Sequence, residues 1–89
     1  MGSRDLRIVN EKGLHARASA KFVEVVERFD AEARVTKDGM TVSGDSIMGL
    51  LMLAASRGTS IHVDTLGMEA EPLADALEAL VANRFGEDH

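Results

Sequence analysis

Three side chains in this sequence sit where their types could do chemistry: the imidazole of His15, the guanidinium of Arg17 and the hydroxyl of Ser46. His15 lies in the run Lys12-Gly13-Leu14-His15-Ala16-Arg17-Ala18, between a short alternating segment and a long amphipathic one. Gly13 allows a sharp turn there, Leu14 can anchor that turn in the core, and His15 falls at or just before the first helical residue. Backbone N–H groups at a helix start lack internal partners, and the helix dipole makes that end positive. Such a terminus suits a phosphate. An imidazole beside it can attack phosphorus through one ring nitrogen and form a phosphoramidate. The N–H groups of Ala16 and Arg17 would face the phosphoryl oxygens, with charge-assisted bonds from the Arg17 guanidinium. Phosphoryl transfer asks for little beyond such positioning and charge neutralisation.

The elements that must hold these groups can be read from periodicity. Leu6 and Ile8 flank Arg7 as a half-buried strand ending near Asn10. Ala16 to Phe29 is helical, with Ala18, Phe22, Val25, Val26 and Phe29 on one stripe and Arg17, Lys21, Glu24 and Arg28 largely off it. Ala33 and Val35 mark a second strand and Met40 and Val42 a third. Asp38-Gly39 between them is a tight-hairpin signal, because a type I′ turn needs positive φ at both central residues. Ser46 to Ser56 reads as a short apolar helix with Ser46 as its N-cap. Ile61, Val63 and Thr65 form a fourth strand. A last helix covers Glu69 to Phe85, with Pro72 in its first turn and Glu69, Glu71 and Asp75 near its positive end. This order predicts an α+β fold, an antiparallel sheet with helices packed on one face.

Composition narrows the function. The 89 residues fit one domain, residues 1–89, and contain no cysteine, so neither disulfides nor thiolate metal ligands hold the fold. The net charge of −5 argues against general nucleic-acid binding. It is unevenly spread: residues 1–37 carry eight basic and six acidic groups, residues 38–89 two and nine. Lys12, Arg17 and Lys21 occur with no acidic residue between positions 12 and 23, which suggests a surface for an acidic partner or a phosphate. The longest apolar run, Ile47 to Ala55, is too short to cross a bilayer. With no apolar signal region in Met1-Gly2-Ser3-Arg4-Asp5, a cytoplasmic location is expected. His62 and His89 read as surface residues, and neither forms a metal-ligand cluster with nearby carboxylates. No metal or cofactor is expected.

Taken together, Gly13-Leu14-His15-Ala16-Arg17-Ala18 and Ser46-Ile47-Met48-Gly49-Leu50-Leu51, at this spacing, resemble the HPr family, histidine-containing phosphocarriers of the bacterial phosphotransferase system. The resemblance spans essentially the whole chain. It implies an open-faced sandwich of four antiparallel strands and three helices. It also implies that His15 takes a phosphoryl group from phosphorylated enzyme I, itself charged by phosphoenolpyruvate. His15 would then pass the group to IIA-type proteins, with Arg17 as electrostatic partner. Such a protein is a carrier, monomeric and not an independent enzyme. HPr proteins of many bacteria are also phosphorylated by an ATP-dependent kinase at the serine matching Ser46. The family often has proline where this chain has Ala18, which loosens the first helical turn but removes no chemical group.

The second helix is apolar nearly all round. Leu50 and Leu53 should pack on the sheet, leaving Ile47, Met48 and Leu51 outward as a protein-binding patch. Ala16, Ala20 and Lys21 complete the expected docking surface. Two other classes compete with the carrier: a regulatory binding module using the same helical surface, and a small phosphatase-like enzyme. The module has no need of His15, and the enzyme would need a deep anion cradle that Gly13 to Arg17 does not offer.

Overall fold

The computed structural model describes residues 2–89. Its element order is β1 (Gly2–Arg7), α1 (Ala16–Glu27), β2 (Glu32–Lys37), β3 (Met40–Ser43), α2 (Ile47–Met52), β4 (Ser60–Leu66) and α3 (Ala70–Ala82), followed by a 3-10 turn, Arg84–Gly86. The strands form one antiparallel sheet in the order β1-β4-β2-β3. Alternation divides its faces: Leu6, Ala33, Val35, Ile61, Val63 and Thr65 are buried beneath the helices. Ser3, Asp5, Arg7, Glu32, Arg34 and Ser60 face out and are exposed. The expected α+β sandwich is the observed one. Among the described residues no helix is long and apolar enough to cross a membrane.

Several boundaries differ from the pattern-based reading, each for a specific physical reason. β1 starts at Gly2, because cross-strand pairing from Gly2↔Thr65 to Arg7↔Ser60 holds residues that show no hydrophobic alternation. It ends at Arg7, although Ile8 still exchanges backbone bonds with Thr59 and Gly58 at 2.8 Å each. The hairpin is as expected, with Asp38 and Gly39 both at positive φ (50° and 82°). α2 ends at Met52 rather than Ser56. Leu53 caps it, and Ala54 turns left-handed at φ 51° while its N–H donates to Leu51 O.

α3 stops at Ala82, so Arg84 and Phe85 lie outside it. Both take left-handed conformations, φ 56° and 55°, each unfavourable by roughly 1–2 kcal/mol for a residue with a Cβ. Phe85 is fully buried, a contribution of roughly 1.5–3 kcal/mol that offsets much of this strain. The acidic residues near the start of α3 also do more than meet a dipole. Arg4 pairs with Asp75 at 2.8 Å, Glu71 at 3.3 Å and Glu78 at 3.4 Å. Glu69 accepts the Asp30 N–H at 2.7 Å.

Candidate functional site

The turn before α1 is fixed by backbone contacts. Gly13 has φ 67°, and a Cβ there would lie 2.5 Å from the Ala55 carbonyl oxygen, so only glycine fits without movement. Leu14, buried, donates its N–H to that same oxygen at 2.9 Å. The left-handed Ala54 brings this carbonyl into place, which ties the end of α2 to the start of α1. Asn10 is buried and donates from Nδ2 to Gly13 O at 2.8 Å. Ser19, also buried, donates from its hydroxyl to Leu14 O at 3.3 Å.

His15 is the N-cap of α1, with φ −78° and ψ −177°. Its Nδ1 accepts the Arg17 N–H at 3.2 Å, so this N–H, expected to be free, is held by the ring. Because Nδ1 accepts, the hydrogen-bond network assigns the proton to Nε2. On that side stands a residue the sequence reading missed: the Glu87 carboxylate meets Nε2. The other Glu87 oxygen accepts from Asn10 Nδ2 at 3.0 Å. Burial pushes the Glu87 carboxyl up, yet the Asn10 bond, the His15 contact and the nearby Lys12 ammonium together hold it below the usual carboxylate range.

Lys12, His15, Ala16, Arg17, Glu87, Asp88 and His89 line an open concavity of about 480 Å³. Lys12, Leu14 and Ala54–Ser56 border His15 on another side. Such a shallow site can admit a phosphoryl group presented by another macromolecule. Arg17 is exposed, and its guanidinium has no hydrogen bond or ion pair to any described residue. The basic surface inferred from Lys12, Arg17 and Lys21 is altered in two ways. Glu87 and Asp88 enter it from the acidic end of the chain, and Lys21 turns its ammonium to the Phe85 carbonyl oxygen at 2.7 Å. No signal in the sequence pairs residue 87 with residue 15; only the strained turn at Arg84–Gly86 does so.

Ser46 is the N-cap of α2, its Oγ accepting the Gly49 N–H at 3.0 Å. Leu50 and Leu53 are buried as expected. Ile47 and Met48 are exposed, at 40% and 69%, and Met52 joins them at 64%. Leu51, expected to face outward with them, is only half-exposed. On α1, Ala16 is exposed and Ala20 half-buried, and α1 packs against α2.

Residues 3–83 match the family model described as the PTS HPr component phosphorylation site. Over 87 residues, 98% of each chain, the sequence is 45% identical to the phosphocarrier protein HPr of Cupriavidus necator. The same identity and coverage hold for phosphocarrier protein HPr of Neisseria meningitidis. The crystal structure of HPr-C-His from Thermoanaerobacter tengcongensis matches over the whole of both chains, with a TM-score of 0.94 at 35% identity. Glu87 lies beyond the residues the family model matches.

Proposed function

The chain belongs to the HPr family of phosphotransferase-system phosphocarriers, and from that premise we propose that His15 is its phosphoryl acceptor and donor. The observation that carries this reading is the orientation of the ring. Nδ1 points at the first turn of α1, while Nε2 is occupied by Glu87. Nδ1 is then the nucleophile. As it bonds to phosphorus it gives up the Arg17 N–H, which becomes a donor to a phosphoryl oxygen. The Ala16 N–H and the Arg17 guanidinium add further donors to the same oxygens.

Phosphorylated enzyme I is the donor and IIA-type proteins are the acceptors, in a sugar or nitrogen-regulatory system. Residues 1–89 act as one cytoplasmic carrier unit, and the flow of phosphoryl groups is the function rather than turnover of a small substrate. Ala16, Ala20, Ile47, Met48 and Leu51 form the docking surface, with Lys21 at its margin. Phosphorylation of Ser46, by an HPr kinase/phosphorylase, lowers the carrier's activity by adding about −1.5 to −2 charges beside that surface.

The test is incubation with enzyme I and phosphoenolpyruvate. His15 should gain an acid-labile, base-stable phosphoryl group. His15→Ala should take up none while keeping the wild-type circular dichroism spectrum, and Arg17→Ala should label more slowly at an unchanged urea midpoint. Undiminished labelling of His15→Ala would overturn the assignment.

A further inference from the structure

The segment that follows α3 is built to reach His15. Arg84 and Phe85 adopt consecutive left-handed conformations, which reverse the chain direction. Phe85 is fully buried, and its carbonyl oxygen is held by Lys21 Nζ. The Glu11 N–H donates to His89 O at 3.0 Å, pinning the segment again beyond residue 87. Between these anchors Glu87 presents one carboxylate oxygen to His15 Nε2 and the other to Asn10 Nδ2. Asn10 in turn holds the Gly13 carbonyl oxygen, so one buried amide links the glycine turn below the ring to the carboxylate beside it. The strained conformations of Arg84 and Phe85 persist because Phe85 burial and these contacts hold the segment in place.

We propose that Glu87 is a positioning residue that keeps the proton on Nε2 of His15, directs phosphorylation to Nδ1 and balances the positive charge the ring acquires. This deepens, and rests on, the reading of His15 as the phosphoryl acceptor. In the step, the Nδ1 lone pair attacks phosphorus and the Nδ1–P bond forms. The donor's P–N bond breaks and its nitrogen leaves with the bonding pair. The Nε2 proton stays on the ring, which is now cationic and sits against the carboxylate. The carboxylate of a Ser-His-Asp triad stabilises an imidazolium in the same way, from the nitrogen that does not react. Without it, Nε2 is open to the concavity and competes as a nucleophile.

Phosphoramidate, a small N-phosphoryl donor that leaves as ammonia, tests this without enzyme I. On assigned His15 resonances, 31P and 15N NMR identify the phosphorylated nitrogen. Wild type should carry the group on Nδ1. Glu87→Ala should give a mixture of Nδ1 and Nε2 products. Glu87→Gln, which keeps the shape but not the charge, should remain at Nδ1 and react about tenfold more slowly, the scale of losing one charge-assisted bond. Before phosphorylation, wild type should show an exchange-protected Hε2 that Glu87→Ala loses. Phosphorylation of wild type on Nε2 would overturn the proposal. So would variants that match it in isomer, rate and Hε2 protection. Retained regiochemistry in a chain that enzyme I does not label would uphold the role of Glu87 and remove only the partner assignment.

Discussion

Lys21 donates from Nζ to the carbonyl oxygen of Phe85 at 2.7 Å, joining the exposed side of α1 to a turn 64 positions later in the chain. A lysine that the charge pattern places on a docking surface is therefore also a structural tether. Its target is the carbonyl of a residue in a left-handed conformation, the point at which the chain turns toward His15.

Lys21→Met keeps the aliphatic stem and removes the donor. It should lower stability by about 1.5–3 kcal/mol, the scale of one hydrogen bond to a charged group. Amide exchange should quicken at residues 86–89 more than in the sheet. A urea midpoint and exchange rates by NMR check both effects, and unchanged exchange in the segment would show that Phe85 burial alone anchors it.

Gly13→Ala should be among the most damaging single-methyl additions available. The residue needs φ 67°, and the new Cβ would lie 2.5 Å from the Ala55 carbonyl oxygen and 2.9 Å from Ser56 Cα. Left-handed strain contributes roughly 1–2 kcal/mol and the collision adds to it. The expected loss is about 2–4 kcal/mol in urea unfolding. A loss below about 1 kcal/mol would mean that the Ala54–Ser56 loop yields easily.

Met48 and Leu51 should part company when replaced by glutamate. Met48 is 69% exposed, so Met48→Glu should leave the thermal midpoint nearly unchanged, within about 0.5 kcal/mol. Leu51 is half-buried, and its replacement should lose about 1–2 kcal/mol. Binding of enzyme I, measured by titration calorimetry, should weaken for Met48→Glu. Wild-type affinity for that variant would remove Met48 from the docking surface.

Ser46→Asp should preserve the cap, since a carboxylate can accept the Gly49 N–H as the hydroxyl does. Charge at a helix start favours it by about 0.3–1 kcal/mol, whereas Ser46→Ala should lose about 1 kcal/mol. Transfer from enzyme I should slow in Ser46→Asp and recover partly with added salt, as screening weakens like-charge contact. An Asp variant that transfers at the wild-type rate at low salt would leave Ser46 as a cap only.

His62 gives the outer sheet face a pH dependence. Its ring sits between Asp5 at 2.8 Å and Asp64 at 3.1 Å. The Asp5 bond first, and Asp64 after it, hold the imidazole above its ordinary value against the opposing effect of desolvation. A raised folded value favours the protonated ring in the native state. The added stability is complete below the unfolded value of about 6.5 and is lost as pH rises through the folded value. The thermal midpoint gap between wild type and His62→Gln should therefore be larger at about pH 6 than at about pH 9. A gap that grows with pH would contradict the pairing.

Local signals in the sequence point to the candidate chemistry and to the frame that carries it. Hydrophobic alternation, the Asp38-Gly39 turn and the stripe from Ala18 to Phe29 are local signals, and they placed the sheet, the hairpin and α1. The same kind of signal put His15 at a helix start and Ser46 at a cap, since both depend on neighbours within a few residues. Tertiary structure decided what depends on distant backbone. β1 extends to Gly2 because β4 pairs with it. α2 ends at Met52 and Ala54 turns left-handed without being a glycine, because the next carbonyl must meet Leu14. Arg84 and Phe85 leave the helical pattern because burying Phe85 offsets the strain of turning left-handed. Glu87 at His15 follows from that turn. No residue spacing encodes a contact between positions 15 and 87; only the packing of Phe85 beneath α1 and α3 brings the acidic end of the chain onto the histidine.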